Sequence, residues 1–205
     1  MEKAVFISNN DITLEAILSE SNRKETAVIC HPHPEFGGTM YNNVVKAIHA
    51  ALFNYGYTTL RFNFRGVGKS TGRYDKGEGE KKDVEACISF LERLSYKPFL
   101  IAGYSFGAYI GSDVAVKDDR INTIILVAPP VNMNDFGFLL TSDKPKLFIA
   151  GDNDFVCSID LLSGIINSTP GKKEFHIIKG SDHFFLGYED EIRKRINDFL
   201  LRMNL

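Results

Sequence analysis

Apolar positions along this chain follow two alternating periodicities. Short apolar runs at residues 26–30, 57–64, 98–103, 123–128, 146–150 and 174–178 are rich in β-branched and aromatic residues. Their length and composition predict strands buried in a sheet interior. Between them lie stretches with apolar residues every three or four positions. In 42–55 these are Val44, Val45, Ile48, Ala51 and Leu52; in 80–94 they are Val84, Cys87, Ile88, Leu91 and Leu94. This spacing places them on one helical face, and 106–116, 159–166 and 189–203 read as further helices. Gly56 stands just past the first helix, where a left-handed residue closes the last turn. Two more strands, 5–8 and 13–19, flank the turn-forming Asn9-Asn10-Asp11 and predict a hairpin. The whole is one domain of eight strands. Apolar strands alternating with helices predict an α/β fold, a mostly parallel sheet covered on both faces, with the hairpin at one edge.

Composition narrows the classes. The 205 residues are 44% hydrophobic and 24% charged, ordinary globular usage that argues against disorder, collagen or coiled coil. A net charge of −2 leaves no footprint for nucleic acid, and Arg193, Lys194 and Arg195 read as a solvated helix face. Cys30, Cys87 and Cys157 are odd in number, far apart in the chain and without a C-x-x-C pair, so they read as core residues of a reducing compartment. No signal-peptide pattern opens the chain, and no apolar run approaches the ~20 residues that span a bilayer. The expectation is a soluble, cytoplasmic protein with no membrane partner.

The chemistry concentrates in three places. Gly103-Tyr104-Ser105-Phe106-Gly107 is a G-x-S-x-G pentapeptide lying between a predicted strand and a predicted helix, the context of a nucleophile elbow. Flanking glycines allow a tight strand-to-helix turn, and the helix N-terminus directs N–H groups at a developing oxyanion. A serine hydroxyl needs a base. His183 lies in a polar loop after the last strand and before the last helix, whereas His176 falls inside a strand and His49 inside a helix. An acid is needed to orient the imidazole. Gly151-Asp152-Asn153-Asp154 follows the 146–150 strand and offers Asp154, with Asp152 as the alternative.

With these motifs the chain resembles the small bacterial α/β-hydrolases that carry an HPHP-x-x-GG segment, an RFNFRG-x-G-x-S-x-G segment, a G-x-S-x-G elbow and a late Asp-His pair. Here these are His31-Pro32-His33-Pro34-Glu35-Phe36-Gly37-Gly38, residues 61–72, residues 103–107, and Asp182-His183. The resemblance covers nearly the whole chain. It implies an α/β-hydrolase fold with an eight-stranded sheet and a triad of Ser105, Asp154 and His183. It also implies a serine esterase or related acyl hydrolase without metal or organic cofactor, acting on a small-molecule acyl substrate. The order Ser, acid, His agrees with that family. One oxyanion donor would be the Phe106 N–H. A second is expected after the third strand, where Pro32 and Pro34 have no N–H; His33 is favoured, with Glu35 and Phe36 open.

Other readings carry less. His31 and His33 alternate as two metal ligands would, but no third ligand completes a set. Gly66-Val67-Gly68-Lys69-Ser70 imitates a phosphate-binding loop, yet Asn63 occupies the position of its first glycine. That loop shapes the site's rim, with Arg65 available to an internal salt bridge or an anionic substrate and with Asp75, Glu78, Glu80 and Asp83 as stabilisers. Only about 15 residues, 131–145, occupy the place where a lid is often inserted. Phe136, Phe138, Leu139 and Leu140 there either line a shallow acyl pocket or pack onto the body. Thioesterase, peptidase and C–C hydrolase chemistry fit the same triad, and a non-catalytic interaction protein of this fold is the remaining alternative.

Overall fold

The computed structural model describes residues 2–204. β1 (Glu2–Asn9) and β2 (Ile12–Ser19) form the hairpin, pairing along their whole length from Glu2–Ser19 to Asn9–Ile12. Strand β1 therefore starts three residues before the run 5–8, because backbone pairing continues past its apolar positions. Then follow β3 (Glu25–Cys30), α1 (Asn43–Tyr55), β4 (Thr58–Phe62), α2 (Glu78–Arg93), β5 (Lys97–Tyr104), α3 (Phe106–Lys117), β6 (Thr123–Val127), β7 (Lys146–Gly151), α4 (Ile159–Ser168), β8 (Lys173–Ile178) and α5 (Glu189–Met203). The eight strands form one sheet in the order β1-β2-β4-β3-β5-β6-β7-β8. It is parallel from β4 to β8, and β2 is antiparallel to both its neighbours.

Strand order dictates where a site can form. From β3 the chain steps outward to β4; from β5 onward it steps the other way, to β6, β7 and β8. Right-handed crossovers then put α1 on one face and α2, α3 and α4 on the other. The observed packing agrees: α1 lies against α5, and α2 against α3. The direction of winding reverses between β3 and β5, so the loops leaving their carboxyl ends diverge and open a crevice. Those loops begin at His31 and Ser105.

The interior is largely apolar. Every residue of β4, β6 and β7 is buried, as the apolar runs predict for strands covered on both faces. Phe62, Phe64, Phe148, Phe185 and Phe199 are among the largest fully buried side chains. The three cysteines are free and buried. Asn42 caps α1 by accepting the Val44 N–H at 2.9 Å, and Gly56, at φ 110°, closes it. Helix α2 starts two residues before the predicted boundary. The buried Glu80 carboxylate reaches back to accept the N–H groups of Asp75 (2.9 Å) and Gly77 (2.8 Å), which satisfies the chain entering the helix.

The glycine-rich part of the loop between β4 and α2, residues 66–71, bonds inward. The N–H groups of Gly66, Val67, Lys69, Ser70 and Thr71 all donate to acceptors within the protein. Gly68 abuts Asn63 and Glu15, so the segment that imitates a phosphate loop is internal scaffolding. Arg65 turns away from any substrate. Its guanidinium and N–H hold Asp83, Nη2 at 2.8 Å from Oδ1, and Asn9 Nδ2 donates to the same carboxylate at 2.9 Å. Asp83 is fully buried, so removing it leaves the largely buried Arg65 charge facing the exposed Asp75 at 3.8 Å. Asp83→Ala is expected to lower the unfolding free energy by about 3–5 kcal/mol in urea titrations.

Candidate active site

Ser105 occupies the single residue between β5 and α3, at φ 53° and ψ −122°. A non-glycine residue in this region is strained by about 1–3 kcal/mol and persists only where its surroundings over-determine it. Here they do. A Cβ on Gly103 would fall 2.3 Å from the Gly107 carbonyl oxygen, and one on Gly107 would fall 2.4 Å from that of Cys30. Both glycines are therefore required for the start of α3 to press against the ends of β3 and β5. The turn is held through the Ser105 N–H, which donates to Val127 on β6, and the Ser105 carbonyl, which accepts from Ala108.

His183 arrives on the loop after β8. Its Nε2 lies 2.9 Å from Ser105 Oγ, and its Nδ1 lies 2.8 Å from Asp154 Oδ2. A carboxylate only accepts, so Nδ1 carries the proton and Nε2 is left to accept from the serine hydroxyl. Asp154 Oδ1 also accepts the N–H groups of Val156 (2.8 Å) and Cys157 (2.9 Å), which fixes the carboxylate beneath the ring. Asp152, the alternative acid, is turned elsewhere and accepts the Gly180 N–H at 2.7 Å. That bond and one from the Asn153 N–H to Ser181 clasp the loops after β7 and β8 together. Gly151 permits the clasp, since a Cβ there would meet the Ser181 carbonyl at 2.3 Å.

Two further residues steady His183, and neither stands out in the sequence. Tyr104 donates its phenol to the His183 carbonyl at 2.8 Å. Burial, reinforced by Asp154 and Asp182, raises the pKa of that phenol and keeps it a donor. Asn43, at the start of α1, donates to the Phe184 carbonyl and to Glu189, tying the histidine loop to the layer formed by α1 and α5.

The loop after β3 carries the HPHP segment. Within it, His31 is fully buried and wholly engaged. Its Nε2 accepts the Phe64 N–H at 2.9 Å, which leaves Nδ1 to donate to the Pro32 carbonyl at 2.6 Å. With both nitrogens occupied, His31 braces the loop against the end of β4 and has no lone pair for a metal. His33 caps the short turn Pro34–Phe36, and its ring packs near Phe36, Tyr74 and Phe106. Among the described residues, no protein acceptor meets the N–H of Phe106 or of His33.

A cleft of about 570 Å³ opens over Ser105. Its walls include Phe36, Tyr74 and Lys76 on one flank and Phe155 and Phe184 on the other. Phe136, Phe138, Leu139 and Leu140 do not line it. The first two pack around Tyr109, and Leu139 is fully buried, so residues 136–139 brace the body, while Met133 and Asn134 of the same segment line the cleft.

The model of the family described as alpha/beta hydrolase fold matches residues 28–143, more than half of the chain. The chain belongs to the α/β-hydrolase fold family. Its fold is very similar to that of an alpha-beta serine hydrolase homologue from Coxiella burnetii, 37% identical with a TM-score of 0.87, covering 97% of both chains. A serine hydrolase without lid from Xanthomonas campestris is 27% identical, with a TM-score of 0.90, covering 98% of this chain and 94% of that one. An uncharacterized protein of Rickettsia prowazekii (strain Madrid E) is 38% identical over 185 residues, 85% of this chain and 78% of the relative. The fold and these relatives make the protein a hydrolase. No described helix of this hydrolase is long and apolar enough to cross a membrane.

His31 also links the hydrolase's stability to pH. Burial depresses its pKa from an ordinary 6.5 to about 4, and burial together with Arg61 does the same for His49. Between those values the unfolded chain holds protons that the folded one refuses. Stability is therefore complete above pH 6.5 and falls as pH drops toward 4. Urea unfolding between pH 7.5 and 4.5 should show this decline, and His31→Gln, although less stable throughout, should show a shallower one.

Proposed function

We propose that this hydrolase is a serine carboxylic ester hydrolase working through an acyl-enzyme. The observation that carries the reading is the unbroken relay from Asp154 through His183 to Ser105, with contacts of 2.8 and 2.9 Å. His183 takes the hydroxyl proton as Ser105 Oγ attacks the ester carbonyl. The carbonyl π electrons move onto oxygen, and the N–H groups of Phe106 and His33 are the donors for that oxyanion. Collapse of the tetrahedral intermediate expels the alcohol, which takes the proton from His183. Water then attacks the acyl-enzyme with His183 as base, releasing the acid and restoring the serine. Asp154 holds the ring's orientation and stabilises its cationic form. Two unclaimed N–H groups beside the serine, and an open cleft for a small acyl substrate, support the same reading. The free, buried cysteines suit a reducing cytoplasm.

A fluorophosphonate probe tests the reading. Intact protein should be labelled once, at Ser105, and should hydrolyse 4-nitrophenyl butyrate. Ser105→Ala should lose labelling and, with His183→Ala, should lose turnover by a factor on the order of 10⁶ while keeping the fold. Failure of folded wild type to label, or labelling that persists in Ser105→Ala, would overturn the assignment.

A further inference from the structure

The cleft's charge is as distinctive as its shape. Eight rings line it: His33, Phe36, Tyr74, Tyr104, Phe106, Tyr109, Phe155 and Phe184, with His183 beside the serine making a ninth. Among the described residues, no aspartate or glutamate lines it, and Lys76 supplies the one permanently charged side chain there. Among the described residues, no hydrogen bond or ion pair engages the Lys76 ammonium, although its neighbour Lys81 holds both Glu78 and Asp113.

Lys76 is also held in place at a conformational cost. Its φ is 54°, in the left-handed region where glycine would be easier. The buried Glu80 carboxylate pins the N–H groups of Asp75 and Gly77 on either side of it. Gly77 in turn lies against Ile110 of α3. The lysine is therefore presented at the cleft by a built turn rather than by a free loop.

Mechanism orients the substrate relative to that lysine. The leaving alcohol must reach the proton on His183 Nε2, so it occupies the flank of Phe155 and Phe184, whose ring centroids lie 6.1 and 5.9 Å from the imidazole's. The acyl chain then extends to the other flank, toward Tyr74 and Lys76, whose loop leaves β4 on the far side of β5. Resting on the serine esterase reading, we infer that Lys76 selects acyl groups carrying an anionic distal end: half-esters of dicarboxylic acids and similar acids with an apolar body. The ammonium pairs with the distal carboxylate while the rings cover the chain between.

The test compares 4-nitrophenyl hydrogen adipate with 4-nitrophenyl hexanoate, two acyl chains of equal length that differ in the terminal carboxylate. The ratio of their kcat/KM values, anionic over neutral, is expected to fall about two- to fivefold in Lys76→Gln, the upper range for an exposed ion pair, and to fall further in Lys76→Glu. It should also shrink in wild type as ionic strength rises. A third ester, 4-(hexanoyloxy)benzoate, carries its charge on the alcohol half, and its rate relative to hexanoate should not follow Lys76. Ratios indifferent to both substitutions, or a Lys76 effect confined to the third ester, would overturn the inference while leaving the esterase reading intact. Loss of fluorophosphonate labelling and of turnover on all three esters in wild type would instead sink the esterase reading and this inference with it.

Discussion

Close approach of backbone to backbone at the end of β5 governs the rest of this molecule. The carbonyls of Cys30 and His31 lie against Gly107, and the Gly107 carbonyl lies against Gly103. No side chain fits between them, so β5 must give way to α3 at one residue, which is forced to φ 53°. The strain of about 1–3 kcal/mol is carried by strands buried on both sides, whose apolar side chains hold the two loops at a fixed spacing. One consequence is chemical. The same turn that lifts the serine hydroxyl above the sheet leaves the first N–H of α3 without an acceptor among the described residues.

A second, softer constraint brings the base to the nucleophile across 78 residues of chain. Loops after β7 and β8 are bonded to each other through Asp152 and Asn153, while Tyr104 and Asn43 hold the histidine loop from below and from the side. These partners come from three different elements, so the imidazole's placement depends on the register of the sheet as a whole. Its precision comes from the parallel strands, and the open cleft above it can vary without disturbing the relay.

Much of this was readable in the linear chain, for identifiable reasons. Apolar runs and helical spacing revealed the strands and helices because both faces of the sheet are covered, leaving little ambiguity of period. The pentapeptide at 103–107 was legible because a tight strand-to-helix turn demands glycine on both sides. The loop after β7 pointed to Asp154 but left Asp152 as the alternative, since both sit in one loop and only the direction of each side chain distinguishes them. His31 and His33 looked alike in the sequence; one proved to be a buried brace and the other a half-buried cap. Phe136 and Phe138 read equally as pocket or packing, and their contacts with Tyr109 decided for packing. Lys76 gave no signal at all, because its placement comes from Glu80, four residues on, reaching back across the turn.

The central claim is that the turn at Ser105 aims the hydroxyl and the N–H groups of Phe106 and His33 at one carbonyl. The most direct measurement is a crystal structure of the protein after reaction with a 4-nitrophenyl alkylphosphonate. Phosphorus should be bonded to Ser105 Oγ, with a phosphonyl oxygen within about 3 Å of both N–H groups and His183 Nε2 facing the position of the leaving group. An adduct whose phosphonyl oxygen points into solvent, away from both donors, would contradict the account.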